Sequence, residues 1–149
     1  MTTRTALAKW QGGFRSGGGS ITVQNSALCD VQFSYKIRFE GDLVVSPESL
    51  FAAAHAASFA MSFAKHLDAI GMSAERVDTV ATVRVEILDG LEAITQVELE
   101  LTAHTGSLDH ARFREAALQA KNDCSVSRLV NAKITLNTKI EGAIHTSAA

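Results

Sequence analysis

The alternation of apolar and polar positions divides the chain into strands and helices before any composition is considered. Val31, Phe33, Tyr35, Ile37 and Phe39 alternate with Gln32, Ser34, Lys36, Arg38 and Glu40, which predicts a strand with one buried face and Arg38 on the polar face. Val77, Thr79, Ala81, Val83, Val85 and Ile87 predict a second such strand. Asp89-Gly90 then marks a turn into a returning strand that buries Val97, Leu99, Leu101 and Ala103 and turns Gln96, Glu98, Glu100 and Thr102 outward. Between these patterns the period changes. From Ser46 to Gly71 the chain reads as one long helix: Ser46 caps it, Pro47 fits the first turn, Glu48 complements the dipole, and Gly71 stops it. Seven alanines between residues 52 and 64 make this helix strongly helix-forming yet thin, as expected for a buried central helix that a second backbone can approach closely. Phe59, Met61 and Phe63 are expected in the core.

The flanking segments are shorter. Residues 5–11 and 20–25 read as a strand pair joined by the glycine-rich stretch 12–19. That stretch lacks the lysine and helix-opening context of a phosphate-binding loop. Asp109 can cap a second helix of about 13 residues whose apolar face is Phe113, Ala116, Ala117 and Ala120. Asp123-Cys124 ends it and opens a short third helix through Val130. Ile134, Leu136, Thr138 and Ile140 make a last strand, and residues 142–149 look frayed. The predicted class is α+β: an antiparallel sheet with a long central buried helix and a second helix, in one domain spanning residues 1–149.

Composition narrows the function more than the fold. Apolar residues make up 46% and there is one proline, so the chain can build a sizeable ordered core. The net charge of −2, with no basic block, points away from nucleic acid and from anionic membranes. Residues 1–10 lack a signal-peptide apolar segment, and 50–64 is too short to span a bilayer. Two cysteines, Cys29 and Cys124, are too few for a disulfide scaffold. A cytoplasmic location is the expectation.

Few side chains carry chemistry on their own. His55 precedes Ser58 by three residues and shares its helix face, but a Ser/His hydrolase needs a third orienting group, and no G-x-S-x-G is present. Five histidines (55, 66, 104, 110 and 145) show no metal-ligand spacing. Taken alone, Arg38 is a solvated strand residue, Glu48 a helix-dipole residue, and Cys124 a small buried hydrophobe whose thiol pKa a following helix start would lower modestly. Cys29 reads as structural.

Motif context changes those readings. Pro47-Glu48-Ser49-Leu50, the small-residue run with Ala54-His55-Ala56-Ala57-Ser58-Phe59, Ile37-Arg38-Phe39-Glu40-Gly41 and Cys124-Ser125-Val126-Ser127 follow one another over nearly the whole chain. In these motifs the chain resembles the osmotically inducible protein C (OsmC) family, whose sister branch is the organic hydroperoxide resistance (Ohr) proteins. His55 and the Arg-Phe-Glu-Gly segment favour the OsmC branch. The resemblance implies an intertwined homodimer and a thiol-dependent reductase for organic hydroperoxides and hydrogen peroxide, serving oxidative-stress defence. Such an enzyme uses no cofactor or metal, only an external dithiol or dithiol-protein reductant. It also implies roles: Arg38 holds the reactive thiolate and polarises the peroxide, Glu48 orients Arg38, and Cys124 is the resolving thiol.

The reactive cysteine itself falls at position 58, where this chain has Ser58. A serine hydroxyl barely ionises near neutral pH and has no sulfenic-to-disulfide cycle, so this form is expected to be inactive. Ser58 is either a deliberate near-isosteric replacement or the mark of a natural chain that has lost or moved its reactive cysteine. A non-catalytic ligand-binding or stress-response protein on the same fold is the alternative. Glu48 and Ser58 lie ten residues apart in one helix, a rise of about 15 Å. Two such helices packed antiparallel about a two-fold axis would let Glu48 of one approach Ser58 of the other, which predicts a homodimer with sites built from both chains.

Overall fold

The computed structural model describes residues 2–24, 27–39, 45–106 and 109–142, with the side chain of Phe39 left aside. The expected fraying of residues 142–149 falls outside these beyond Gly142, as do Glu40 and Gly41 of the arginine motif. The chain separates into two compact units, Met1–Leu50 and Phe51–Ala149.

In the first unit, β1 (Ala6–Gln11), β2 (Gly18–Val23) and β3 (Val31–Ser34) form an antiparallel sheet in that order. Gly19 is required there: a Cβ at this position would lie 2.9 Å from the Phe33 ring and overlap the Lys9 carbonyl oxygen. The bare backbone lets Phe33 lie across the strand, its ring centroid 5.5 Å from that of Trp10.

The alternation through Phe39 does not continue as a strand. β3 ends at Ser34, and Tyr35–Phe39 form a short helix, α1. Ser34 Oγ accepts the backbone N–H of Ile37 at 3.3 Å, as a helix-capping serine does. Arg38 therefore sits on a helix, not on the polar face of a strand. The local cap overrides the period-two pattern.

Helix α2 (Pro47–Ala69) begins as expected. Ser46 and Ser49 cap it reciprocally, each hydroxyl accepting the other's backbone N–H, at 3.1 and 2.8 Å. At its far end Gly71 adopts φ 69°, Met72 N–H reaches the Leu67 carbonyl at 2.9 Å, and Gly71 N–H reaches that of Asp68 at 3.0 Å. This pair of bonds is a Schellman stop.

The second unit is a two-layer arrangement. β4 (Arg76–Leu88) and β5 (Leu91–His104) form a long antiparallel hairpin. Asp89 and Gly90 both take positive φ, 52° and 80°, as the tight turn predicted for this pair needs. Helix α3 (His110–Asp123) follows, with Asp109 Oδ1 accepting the N–H groups of Ala111 and Arg112. β6 (Lys133–Glu141) then pairs with β5, leaving β5 central. This last pairing is parallel, which corrects the all-antiparallel expectation. The reason is topological: α3 carries the chain back along the sheet, and a crossover of that length brings the next strand in with the same direction.

The core lies between β5 and the helices. Val97, Leu99, Leu101 and Ala103 of β5 meet Phe59, Phe63 and Leu67 of α2 and Phe113, Ala116, Ala117 and Ala120 of α3. The Phe63 and Phe113 rings pack edge to face at 5.2 Å, and Ser62 Oγ donates to the Ala120 carbonyl at 3.1 Å.

Helix α2 is less buried than the sequence suggested. Only His55, Phe59, Phe63 and Leu67 are buried, one stripe at four-residue spacing. Met61, expected in the core, lies off that stripe and is 75% exposed, with Ala53, Ala57 and Ala64 also exposed. The hairpin end likewise exposes Val85, Ile87, Leu88 and Leu91. No helix of the described residues is long and apolar enough to cross a membrane.

Because Phe59 is wholly buried against β5 and α3, Phe59→Ala is expected to destabilise the fold by about 3–5 kcal/mol. Met61→Ala, on the open face, should change stability by less than about 0.5 kcal/mol in the isolated chain. Chemical denaturation of the two variants checks this; equal losses would contradict the assigned helix face.

Candidate functional site

The sequence-predicted residues gather in two clusters, one in each unit. In the first unit Arg38 on α1 meets Glu48 in the first turn of α2. Arg38 Nε donates to Glu48 Oε1 at 2.9 Å, and a terminal guanidinium nitrogen approaches the same oxygen at 2.6 Å. Burial pushes the Glu48 carboxyl up. Its own backbone N–H, Arg38 and the Ser46 hydroxyl more than offset that, so it stays ionised below its usual range. Beside this pair Trp10, Phe14, Phe33, Tyr35 and Pro47 line a cavity of about 340 Å³ that Arg38 borders. The arrangement can hold an oriented cation at the edge of an apolar, aromatic pocket.

In the second unit Ser58 on α2 meets Cys124, which caps the end of α3. The Cys124 thiol donates to Ser58 Oγ at 3.2 Å. Ser58 Oγ lies 3.2 Å from the hydroxyl of the exposed Ser125, so Ser58 stands between the buried thiol and the surface. After Cys124 the chain turns through a single 3-10 turn, Ser127–Leu129, held by Arg128 N–H on the Cys124 carbonyl at 3.1 Å. That turn replaces the short third helix expected up to Val130.

Cys124 is 1% exposed. Burial pushes its thiol up, but the Ser58 hydroxyl, the Ser127 N–H and hydroxyl and the Val126 N–H outweigh that and hold it below an ordinary thiol.

His55 does not approach Ser58 as a hydrolase pair would. It is fully buried, and its Nε2 lies 2.8 Å from Ser127 Oγ. Burial holds the imidazole below its usual pKa, hence neutral. Cys29 is exposed, so it has no structural role in a core. Ser125 and Ser127 were legible only as members of the cysteine motif. Their contacts to residues 67 and 72 positions earlier are not a sequence signal.

The fold formed by these elements has known counterparts. An organic hydroperoxide resistance protein from Elizabethkingia anophelis superposes with a TM-score of 0.73 at 19% identity, covering 95% of this chain and 97% of that one. The organic hydroperoxide resistance protein OhrB of Bacillus subtilis gives 0.69 at 22% identity, covering 92% and 98%. At the level of sequence, the model of the family described as OsmC-like protein matches residues 40–139. Peroxiredoxin OsmC of Escherichia coli is 31% identical over 134 residues, 90% of this chain and 94% of that protein. The chain belongs to the OsmC-like protein family.

The Arg38–Glu48 contact carries a pH prediction. A carboxyl depressed in the folded state adds stability that is fully present above the ordinary carboxylate range and is lost as pH falls through the folded value. Arg38→Ala should raise the Glu48 titration, because the burial that opposes ionisation remains while the guanidinium's share of the opposing stabilisation is lost. Carboxyl-carbon NMR across acid pH reads this directly; an unmoved Glu48 titration would show that Arg38 does not hold it.

Proposed function

We propose that this chain carries the scaffold of a thiol-dependent peroxide reductase for organic hydroperoxides and hydrogen peroxide, serving oxidative-stress defence in the cytoplasm. Ser58 occupies the place of the reactive cysteine, which leaves this form inactive. The observation that carries the reading is the 3.2 Å contact between Cys124 Sγ and Ser58 Oγ. A sulfur at position 58 would lie against a second sulfur, within the small adjustment a disulfide needs. The names peroxiredoxin OsmC and organic hydroperoxide resistance protein, borne by relatives, support the same class.

The chemistry would run in three steps. A thiolate at position 58 attacks the peroxide. An S–O bond forms, the O–O bond breaks, and the departing alkoxide takes a proton to leave as alcohol. The Cys124 thiolate then attacks the sulfenic sulfur, the S–S bond forms as the S–O bond breaks, and the departing hydroxide takes a proton to leave as water. An external dithiol, or a dithiol protein, returns both thiols by exchange and is itself oxidised. In this reading Arg38, oriented by Glu48, holds the thiolate and polarises the peroxide. The aromatic pocket bordered by Arg38 suits the organic part of a hydroperoxide. No resident cofactor is needed. Serine supports none of these steps, because a hydroxyl neither ionises usefully nor forms a sulfenic acid.

The same pocket favours one other reading, a non-catalytic binding protein that keeps the ligand site and has lost the thiol cycle. Ser58→Cys separates the two. It should restore dithiol-dependent consumption of an alkyl hydroperoxide from near zero. Peroxide without reductant should then remove two free thiols. Adding Arg38→Ala should abolish turnover again. A well-folded Ser58→Cys protein that consumes no peroxide would leave the binding reading standing.

We further propose a homodimer, each site combining the Arg38–Glu48 pair of one chain with Ser58 and Cys124 of the other. The exposed small face of α2 (Ala53, Ala57, Ala64) and the exposed apolar hairpin residues support a second copy of the chain as partner. Light scattering at micromolar concentration should give a dimer mass; a monomer mass would remove this part of the proposal.

A further inference from the structure

Ser58 Oγ joins two other side chains. The Cys124 thiol donates to it at 3.2 Å from the core side, and Ser125 Oγ lies 3.2 Å from it on the outer side. Cys124 is buried, Ser58 half-buried and Ser125 exposed, so the three groups run in a line from the core to the surface. The backbone fixes this line. Cys124 N–H is held by the Ala120 carbonyl at 2.9 Å, and the Cys124 carbonyl by Arg128 N–H at 3.1 Å, which sets Ser125 in the turn between. One turn further along α2, Ser62 Oγ donates to the same Ala120 carbonyl at 3.1 Å and ties the two helices at this level. The thiol cycle above does not use Ser125.

A hydroxyl has one proton to donate, and that limit sets the polarity of the line. While Cys124 is a thiol, its S–H occupies a lone pair of Ser58 Oγ. When Cys124 ionises, its proton leaves to solvent and the sulfur becomes an acceptor only. Ser58 can then stabilise it only by turning its own O–H inward. With that proton committed to the sulfur, Ser58 meets Ser125 as an acceptor, and the Ser125 O–H donates to it. We propose that Ser125 is a positioning residue for the buried sulfur: by donating to Ser58 Oγ it holds the Ser58 hydroxyl in the inward direction that a Cys124 thiolate requires. Hydrogen bonds in line polarise one another, so the outer bond strengthens the inner one. Ser125 thus acts on a sulfur through Ser58.

The ionisable groups around the line are engaged elsewhere or exposed. His55 of α2 lies against Ser127 Oγ, Asp123 of α3 against His66, and Arg128 of the turn is exposed. A functional consequence follows, and it rests on the reductase reading of position 58. A thiolate there has no proton of its own, so the Ser125 O–H would donate to it directly, on the side away from Cys124.

The first test needs no peroxide. In a Cys29→Ser protein Cys124 is the remaining thiol, and its ionisation is followed by thiolate absorbance against pH. Ser125→Ala should move the titration up by about half a pH unit, an about threefold smaller thiolate fraction below the midpoint. Ser125→Thr, which keeps the hydroxyl, should restore the parent titration. Ser58→Ala should raise it further, and adding Ser125→Ala to Ser58→Ala should change nothing more. Ser125 is exposed, so the Ala and Thr variants there decide the matter even where Ser58→Ala does not fold.

A Ser125→Ala protein with the parent titration overturns the proposal. So does a Ser125→Thr protein that stays shifted, because the hydroxyl would not be the cause. An undiminished Ser125→Ala shift in the Ser58→Ala protein overturns it as well, because Ser125 would then act without Ser58. In the Ser58→Cys protein, Ser125→Ala should move the acid limb of the pH–rate profile for alkyl hydroperoxide consumption to higher pH; an unmoved limb overturns the consequence for position 58. If Ser58→Cys consumes no peroxide while the Cys124 titration still depends on Ser125 through Ser58, the reductase reading falls and this inference stands.

Discussion

The arrangement of the second unit depends on one packing constraint. Helix α2 must set the stripe His55, Phe59, Phe63 and Leu67 against β5 and α3. At about 100° per residue, burying Phe59 leaves Ser58 at the side of the contact, neither in the core nor in open solvent. That is where the end of α3 delivers Cys124. The same rotation carries His55 inward, four residues ahead of Phe59, to the level of the 3-10 turn. One helix orientation therefore positions Ser58 for the sulfur and His55 for the serine beside it.

Among the described residues of one chain, hydrogen-bonding groups and not a cation offset the burial of the Cys124 sulfur. Taking a thiol out of water disfavours its ionised form. Hydroxyl and backbone donors converging on one atom counter that penalty without the larger cost of burying a positive partner. The guanidinium of Arg38 is treated in the opposite way. It stays partly exposed and meets the Glu48 carboxylate, which orients it without desolvating it fully. A buried sulfur beside a hydroxyl and a partly exposed cation steadied by a carboxylate are different ways of holding charge, and each suits its own exposure.

The open face of α2 follows from its composition. Ala53, Ala57 and Ala64 contribute little area to any hydrophobic contact, so the single chain loses little by leaving them exposed. Their small size is also what permits a close approach by another backbone. Helix propensity and packing thus act on different faces of the same segment. Aromatic residues secure one side to the sheet, and alanines keep the other side smooth.

Local chemistry explains what was legible in the sequence. The reciprocal serine cap and glycine stop of α2, the Asp89-Gly90 turn, the Asp109 cap and the alternation of β4 and β5 involve residues within a few positions of one another. Each therefore leaves a signature in order and spacing. Pro47-Glu48, the alanine run with His55, and the Cys124 motif were likewise legible as motifs in the chain. Three features were decided at longer range or by finer competition. A single serine cap converted residues 35–39 from predicted strand to helix. The α3 crossover made β6 parallel to β5. The rotation of α2 about its axis, fixed by packing on β5, placed Met61 outside and His55 inside. Order and spacing were enough to place Glu48, Ser58 and Cys124 in α2 and at the end of α3, but not to place Arg38, which the strand pattern had put on a β-strand. Only the tertiary structure decided that Cys124 meets Ser58 and that His55 meets Ser127, because those contacts join positions 66 and 72 residues apart. Their distances depend on helix packing, which no local periodicity encodes.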